Sequence, residues 1–514
     1  MASGESVLGE DWVSVVVPRG GRVPEHVHPV LDDYLDIAAR EARAGIEPGT
    51  PIIVSPGLDI DRTLIRYFTI SGPFGRLNAL TRESEGTEIK NWCQFLDSYG
   101  VHWLDASERH FKDYRRFRTN ANVLRELTGD ASGVITVASF AKGHYALKRL
   151  YEWVKDSGLR PDNPIPDHVQ KGPESADRSR GNWVLPGTYQ MWRNVGLSGL
   201  RAAVSSSGAV TWAEHDTSWR GGVHATRNSA YTDFMITSAL RRREQGTLLL
   251  DELPTGGADV RLATETAKFK RSRVYTPNRT ALDAVHRYVR FQRASAVERA
   301  QRHGRYDDLA AGQDLLIVDR VWFTKDGLQY RLDTGEEGAV DSMDEFDRSR
   351  MFRRNEDGLL EPMAVWLNER GLPMKPKEWN RVFARANERV ADEFRRIGVT
   401  SAPPQLHPHA LRFSFALYLL AALHRRIDER ENYRATETYQ ADRYGLAYDV
   451  VKDMLGHRSR DTTINIYLQP VQGLRRAAVF DSTVDRDLSE VIGMLVGDSD
   501  LVLRTGTVFE QENR

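Results

Sequence analysis

The sequence predicts a mainly α protein with a small β-hairpin or sheet, an α+β chain with a helical N-terminal domain and a larger C-terminal domain. Three observations carry that expectation. Apolar residues recur at helical spacing through most of the regular stretches. Short strand-like runs come in pairs, one pair around a basic segment near residue 270 and one around Asp326-Gly327. A polar stretch opening with Arg160-Pro161-Asp162-Asn163-Pro164-Ile165-Pro166 divides the chain.

With 514 residues the chain can bury two or three separate cores. Hydrophobic content of 40% and charged content of 28% are those of an ordinary globular protein. No run of about 18 apolar residues occurs, and the N-terminus lacks a basic-then-apolar signal pattern. A cytoplasmic protein with no membrane partner is expected. Cys93 is the only cysteine, which excludes an internal disulfide framework and a cysteine zinc site. The net charge of −1 hides an uneven distribution. Residues 261–300 carry ten Lys or Arg against three acids, whereas the tail from 471 carries eight acids against five Arg. A local basic stretch is what neutralising phosphates in a groove requires.

Residues 1–60, with scattered Pro and Gly, read as an N-terminal arm with one helix near 30–44. Residues 61–160 form the helical domain. Ile89, Trp92, Phe95, Leu96 and Tyr99 share one helix ending at Gly100. A second helix covers Ser107 to Arg118, with Phe111, Tyr114 and Phe117 on one stripe and Lys112, Arg115, Arg116 and Arg118 beside it. A third covers Val137 to Asp156, with Lys142, Lys148 and Arg149 outward. The aromatics read as core, and the arginines flanking them as candidates for phosphate contact. Residues 161–182 are the linker.

The C-terminal domain, 183–480, opens near Trp183. A short helix from Ala230 to Leu240 runs into Arg241-Arg242-Arg243-Glu244. Val260-Arg261-Leu262 and Arg273-Val274-Tyr275-Thr276 read as a hairpin whose turn carries lysine, and helix resumes at Ala281. Residues of about 300–362 read as an insertion, with a hairpin at Asp326-Gly327 and loop from Asp333 to Asp357. Helices follow at Pro376 to Arg396, Leu411 to Arg425 and Tyr448 to Leu455. The charged run from Arg430 to Tyr444 is only weakly periodic. The tail, 481–514, holds a short helix at Leu488 to Leu495.

The chemistry concentrates late in the chain. His407-Pro408-His409-Ala410-Leu411-Arg412 is followed by Leu455-Gly456-His457 and then by Tyr467. Imidazoles, a guanidinium and a phenol are a set that can hold a phosphate and attack it with an oxygen nucleophile. Taken singly, each has an ordinary structural explanation: a buried helix tyrosine, a helix cap, a surface ion pair. Their order and spacing are what single them out.

That order resembles the tyrosine recombinases of the phage-integrase type, whose catalytic domain is related to type IB topoisomerases. The family places an Arg after a helix, a Lys in a following hairpin turn, an H-x-x-R pair, an L-G-H triplet and a Tyr nine or ten positions beyond its His. Here these are His409-Ala410-Leu411-Arg412, Leu455-Gly456-His457 and Tyr467, ten positions after His457. For the first Arg, Gly199-Leu200-Arg201 matches literally but lacks an acid three residues on. Ala239-Leu240-Arg241 follows an apolar helix and has Glu244 at that offset, so Arg241 is chosen and Arg201 is the fallback. Register against Arg273 favours Lys268, with Lys270 as the alternative. His407 and His424 match no family position. Ala239 for Gly, Phe413 for a second His, and 141 residues between Lys268 and His409 are departures.

The resemblance implies an N-terminal core-binding domain that clamps double-stranded DNA and a C-terminal tyrosine-recombinase catalytic domain. It further implies a homotetramer on two DNA sites, accessory DNA-bending or directionality factors, and a tail that docks on a neighbouring subunit. Arg241 and Arg412 would clamp the non-bridging oxygens, Tyr467 would attack phosphorus, and Lys268 would protonate the leaving oxygen. His409 would assist as base or hydrogen-bond partner and His457 would bind the phosphate. No cofactor and no metal enter this scheme. The expected function is site-specific DNA recombination for integration or excision of a mobile element. The alternatives are a type IB topoisomerase-like relaxing enzyme and a DNA-binding relative that no longer cuts.

Overall fold

The structure, a computed structural model, describes residues 11–17, 41, 43–47, 49–69, 77, 79–128, 133–168, 183–204, 210–215, 224–254, 260–262, 265–267, 272–312, 315–431, 444–464 and 502–503. The class is α+β, with long helices and small sheets. Two compact units divide the chain, Met1–Arg178 and Ser179–Arg514. Among the described residues no helix is long and apolar enough to cross a membrane.

The first unit begins with two strands. β1 (Val13–Val16) pairs antiparallel with β2 (Pro51–Val54), Val15 opposite Ile52. The segment read as an arm therefore contributes to the domain, and Ile53 lies in its core. The helix expected near 30–44 falls mostly outside the described residues. α1 (Arg62–Phe68) starts at Asp61, whose carboxylate accepts the N–H groups of Thr63 and Leu64, an N-cap. α2 (Ala79–Asp97) is followed by a turn that closes at Gly100, at a φ of 65°. α3 (Glu108–Thr119) is capped by Ser107, and α4 is Ala121–Thr128. α5 (Val137–Asp156) has the bounds its periodicity predicts. Trp92, Phe95, Phe111, Tyr114, Phe140 and Tyr151 form one aromatic core.

Several of the flanking cations are paired within this unit, Lys112 with Glu108 at 2.8 Å and Lys148 with Asp167 at 2.9 Å among them. Arg149 Nη1 donates to Glu85 at 2.6 Å. Arg118 stands 3.8 Å from Glu88, which also accepts the Tyr114 hydroxyl at 2.7 Å. Lys112, Arg116 and Lys142 remain exposed.

The second unit opens with β3 (Trp183–Val184), α6 (Pro186–Trp192) and the hairpin of β4 (Leu200–Val204) and β5 (Val210–His215). α7 (Ala225–Ser238) is buried along most of its length, and α8 (Arg242–Gly246) follows three residues on. β6 (Val260–Arg261) and β7 (Val274–Tyr275) form the expected hairpin, Val260 opposite Tyr275. α9 (Arg279–Arg287) passes through a π-helical turn, Tyr288–Arg293, into α10 (Ala294–Arg302), and α11 spans Arg305–Gly312.

Residues 316–362 are where expectation and structure part. β8 (Leu316–Thr324) and β9 (Gly327–Leu332) are the anticipated hairpin, with Gly327 at a φ of 115° in the turn. The stretch expected to be loop instead carries β10 (Glu337–Ala339), α12 (Glu345–Ser349) and β11 (Met351–Arg354), and β12 (Leu360–Pro362) follows. Together they make a five-stranded sheet of order β10-β9-β8-β11-β12. Met351 and Phe352 are fully buried, and Arg348 forms a buried ion pair with Glu252. The sheet is stitched to the preceding core: Leu250 N donates to Met363 O and Val365 N to Leu248 O, both at 2.9 Å.

α13 (Trp379–Arg396) and α14 (Pro408–Glu431) pack on α7 and its neighbours. α15 (Gly445–Leu455) and the short α16 (Arg460–Thr462) complete the unit. β13 (Val502–Leu503) pairs parallel with β3 of the same chain. The expected tail helix at Leu488 to Leu495 lies outside the described residues.

Candidate active site

The site is built where two helices end. α7 terminates at Ala239, a non-glycine residue at φ 57° and ψ 17°, the left-handed region. α15 terminates at Gly456, at φ 64°, where an added Cβ would meet Arg273 Cδ at 3.1 Å. The Gly456 turn is a Schellman-type cap: His457 N donates to Lys452 O at 3.0 Å. This geometry gives the Leu-Gly-His triplet a physical meaning. The glycine makes the turn, and the histidine is delivered to the end of the helix.

Helix ends leave carbonyls without intrahelical partners and carry the negative end of the helix dipole, so cations collect there. Arg412 does so from the first turns of α14. Its side chain is fully buried, with Nη1 donating to Ala239 O and Nη2 to Leu455 O. Arg273, from the edge of β7, reaches the same two ends. Its Nε donates to Met454 O at 3.0 Å and its Nη2 to Ala239 O at 3.4 Å.

Glu244 knits these cations to Arg241. It is the N3 residue of α8, and its Oε2 accepts the Arg241 N–H at 2.7 Å, as an N3 glutamate does in a capping box. Its Oε1 accepts Arg241 Nη1 at 2.8 Å. Arg273 Nη2 and Nη1 donate to the same carboxylate at 2.6 and 3.2 Å. Burial pushes the Glu244 carboxyl up, but Arg273, Arg412 and Arg241 more than reverse this and hold it well below the usual carboxylate range. The acid three residues after Arg241 is therefore structural in its own right. The side chain of Glu244 is 1% exposed and that of Arg241 22%.

His457 lies in the field of this cluster. Burial, then the charges of Arg412, Arg241, Arg273 and His409, bring its imidazole down to about 3, so it is neutral at pH 7. Its Nδ1 is 2.9 Å from the hydroxyl of the buried Thr463. With the threonine hydroxyl donating to Nδ1, Nε2 carries the ring proton and can donate it to an anion. His409 is exposed, its ring edge-on to Phe413 at 4.6 Å between centroids. Pro408 occupies the first position of α14, as proline favours. His407 caps that helix: its Nδ1 accepts the Ala410 N–H at 3.1 Å. His424 is buried against Tyr444.

The structure thus brings Arg241, His409, Arg412 and His457 into one electrostatic neighbourhood. Lys268, Lys270 and Tyr467 lie outside the described residues. Arg201, the fallback, is exposed on β4 and is not among the charges that act on His457. Three side chains carry more of the site than the sequence assigned them: Arg273, Glu244 and Thr463. In the sequence Arg273 is only a register mark for the lysine. A basic residue beside a strand on the partner of a lysine-bearing turn is the signal that points to it. Among the described residues no group of three or more His, Cys, Asp or Glu side chains could hold a metal ion.

Three arginines around one carboxylate leave net positive charge against a neutral histidine. Such an arrangement can receive a dianionic or spread-out anionic oxygen group without first expelling a counter-charge.

No protein-family model matches the chain, and no curated protein matches it in sequence. Among solved structures, the chain is similar to the Tn1549 transposon integrase in complex with transposon right end DNA, at 11% identity, 75% of this chain, 87% of that one and a TM-score of 0.39. It is also similar to the XerH site-specific recombinase bound to palindromic difH substrate, at 10% identity, 76% and 75% coverage and a TM-score of 0.37. For the XerA recombinase the values are 12%, 76% and 88%, with a TM-score of 0.26.

Proposed function

We propose that the protein is a site-specific DNA recombinase that cuts and rejoins strands through a covalent 3′-phosphotyrosyl intermediate, serving integration or excision of a mobile element. The observation that supports it is the convergence of Arg241, Arg412, His409 and His457 around Glu244 and Arg273, in the chain order that also holds Lys268 and Tyr467.

In this mechanism a phosphodiester lies against the arginine cluster. Arg241 receives a non-bridging oxygen, because it is the most exposed of the three guanidiniums, Arg273 and Arg412 both being buried. Arg412 fixes the two helix ends and adds its charge behind the phosphate. Neutral His457 donates from Nε2 to a non-bridging oxygen. The Tyr467 hydroxyl loses its proton to His409 as its oxygen attacks phosphorus. A tyrosyl O–P bond forms, the bond from phosphorus to the 5′ oxygen breaks, and Lys268 gives that oxygen a proton. The phosphotyrosyl ester conserves the bond energy, so a 5′ hydroxyl from another strand reverses the steps without ATP. A tetramer on two duplexes would exchange strands in this way.

The test begins with a random-sequence pool of nicked duplexes from which the wild-type protein captures its own site covalently. A protein–DNA adduct that forms equally well in EDTA, followed by joining to a second duplex carrying the same site, supports recombination. Relaxation of any supercoiled plasmid without site preference would instead favour the topoisomerase-like alternative. DNA binding with no adduct would favour the non-cutting relative.

A further inference from the structure

We propose that Arg273 is the positioning residue of the arginine clamp, the side chain that fixes where the Arg241 guanidinium stands when a phosphate arrives. The inference rests on the reading of the site as a phosphodiester clamp.

Arg273 is itself a poor candidate for binding the phosphate. Its side chain is 6% exposed, and its donors are distributed over Glu244, Met454 and Ala239. Arg241 differs: among the described residues its guanidinium makes one hydrogen bond, from Nη1 to Glu244 Oε1. What orients Arg241 is therefore the Glu244 carboxylate, and what orients that carboxylate is Arg273, which bonds both of its oxygens.

A second link runs through the backbone. Arg273 O accepts the N–H of Leu262 at 2.7 Å, so the same residue belongs to the β6–β7 hairpin. One amino acid thus holds the hairpin by its main chain and the clamp by its side chain. The hairpin cannot shift against Arg241 without breaking the Glu244 bonds. A lysine at 273 would keep the charge, but its single ammonium cannot span a carboxylate and two helix ends. Displacing a substrate-binding group by about 1 Å can cost about 100-fold in rate.

The experiment compares single-turnover cleavage by wild type and Arg273→Lys on two forms of the captured site. One form carries the natural phosphodiester at the cleaved position, and the other carries a methylphosphonate there. The methylphosphonate lacks the anionic non-bridging oxygen, so a guanidinium clamp contributes little to its cleavage. Arg273→Lys is expected to cleave the phosphodiester about 10- to 100-fold more slowly and the methylphosphonate at the wild-type rate. Equal slowing on both would overturn the proposal, since a general loss of folding or DNA binding affects both alike. Unchanged cleavage of the phosphodiester would overturn it too. If Arg273→Lys melts below the assay temperature, Arg273→Gln is put to the same two-substrate comparison. Failure of the wild type to capture any DNA is a separate result, which removes the clamp reading and this proposal together.

Discussion

The Arg412 guanidinium donates to the carbonyl of Ala239, a residue 173 positions earlier that is held in the left-handed backbone region. The bond joins the end of α7 to α14, and the other arm of the guanidinium joins α14 to the end of α15. Arg412 thereby places Arg241, two residues beyond Ala239, and His457, two beyond Leu455.

Arg412→Lys should therefore destabilise the second unit as well as slow the proposed cleavage. A lysine cannot bond two carbonyls that face different helix ends, and each buried carbonyl that loses its guanidinium partner costs about 1–3 kcal/mol. The expected loss is about 2–4 kcal/mol, read as a lower urea midpoint for the full-length chain. An unchanged midpoint would show that Arg412 does not bridge the two helix ends.

His457 makes a pH prediction. Its imidazole falls from the usual 6.5 to about 3 through burial and the surrounding positive charge. Between those values the unfolded chain binds a proton that the folded chain does not, so stability rises with pH across that window. The contribution is fully present above pH 6.5 and is lost as pH falls toward 3. In His457→Gln the urea midpoint should decline less between pH 7 and pH 5 than in the wild type. Nitrogen chemical shifts of His457 should still report a neutral ring at pH 5. A protonated ring at that pH would contradict the charge arrangement of the site.

The sheet of residues 316–362 should prove inseparable from the rest of the second unit. Arg348 bonds Thr247 O and Val340 O and pairs with Glu252, and removing one partner of a buried ion pair costs about 3–5 kcal/mol. Arg348→Met is accordingly expected to lower the urea midpoint strongly. Replacing Phe323, 71% exposed near the β8–β9 turn, by Ser should leave it unchanged. Equal effects of the two changes would mean that the sheet is an appendage.

The contrast between these elements shows what the sequence makes legible. α5 matches its periodicity because a long amphipathic helix writes its apolar stripe directly into the residue order. The Leu-Gly-His triplet announces a helix end because only glycine enters the left-handed turn without cost. β10 and β11 are hidden in a polar, acidic stretch; β10 pairs antiparallel with β9, and β11 gains its strand character from a parallel pairing of Met351 with Leu316, 35 positions away. β1 is equally silent, since its partner β2 lies beyond a long intervening segment. Within the site, Arg241 could be selected from Glu244 at the third position, a local capping relation. The use of Arg273 and Arg412 to satisfy two distant helix ends is tertiary, and no spacing along the chain encodes it.

Whether Tyr467 is the nucleophile is decided by the residue that becomes joined to DNA. Wild-type protein is trapped on its captured site, digested with protease and nuclease, and the nucleotide-bearing peptide is identified by mass spectrometry. A single adduct is expected, a phosphate ester on Tyr467, with no adduct from Tyr467→Phe protein of unchanged DNA affinity. An adduct on another residue, or one that persists in Tyr467→Phe, would contradict that role.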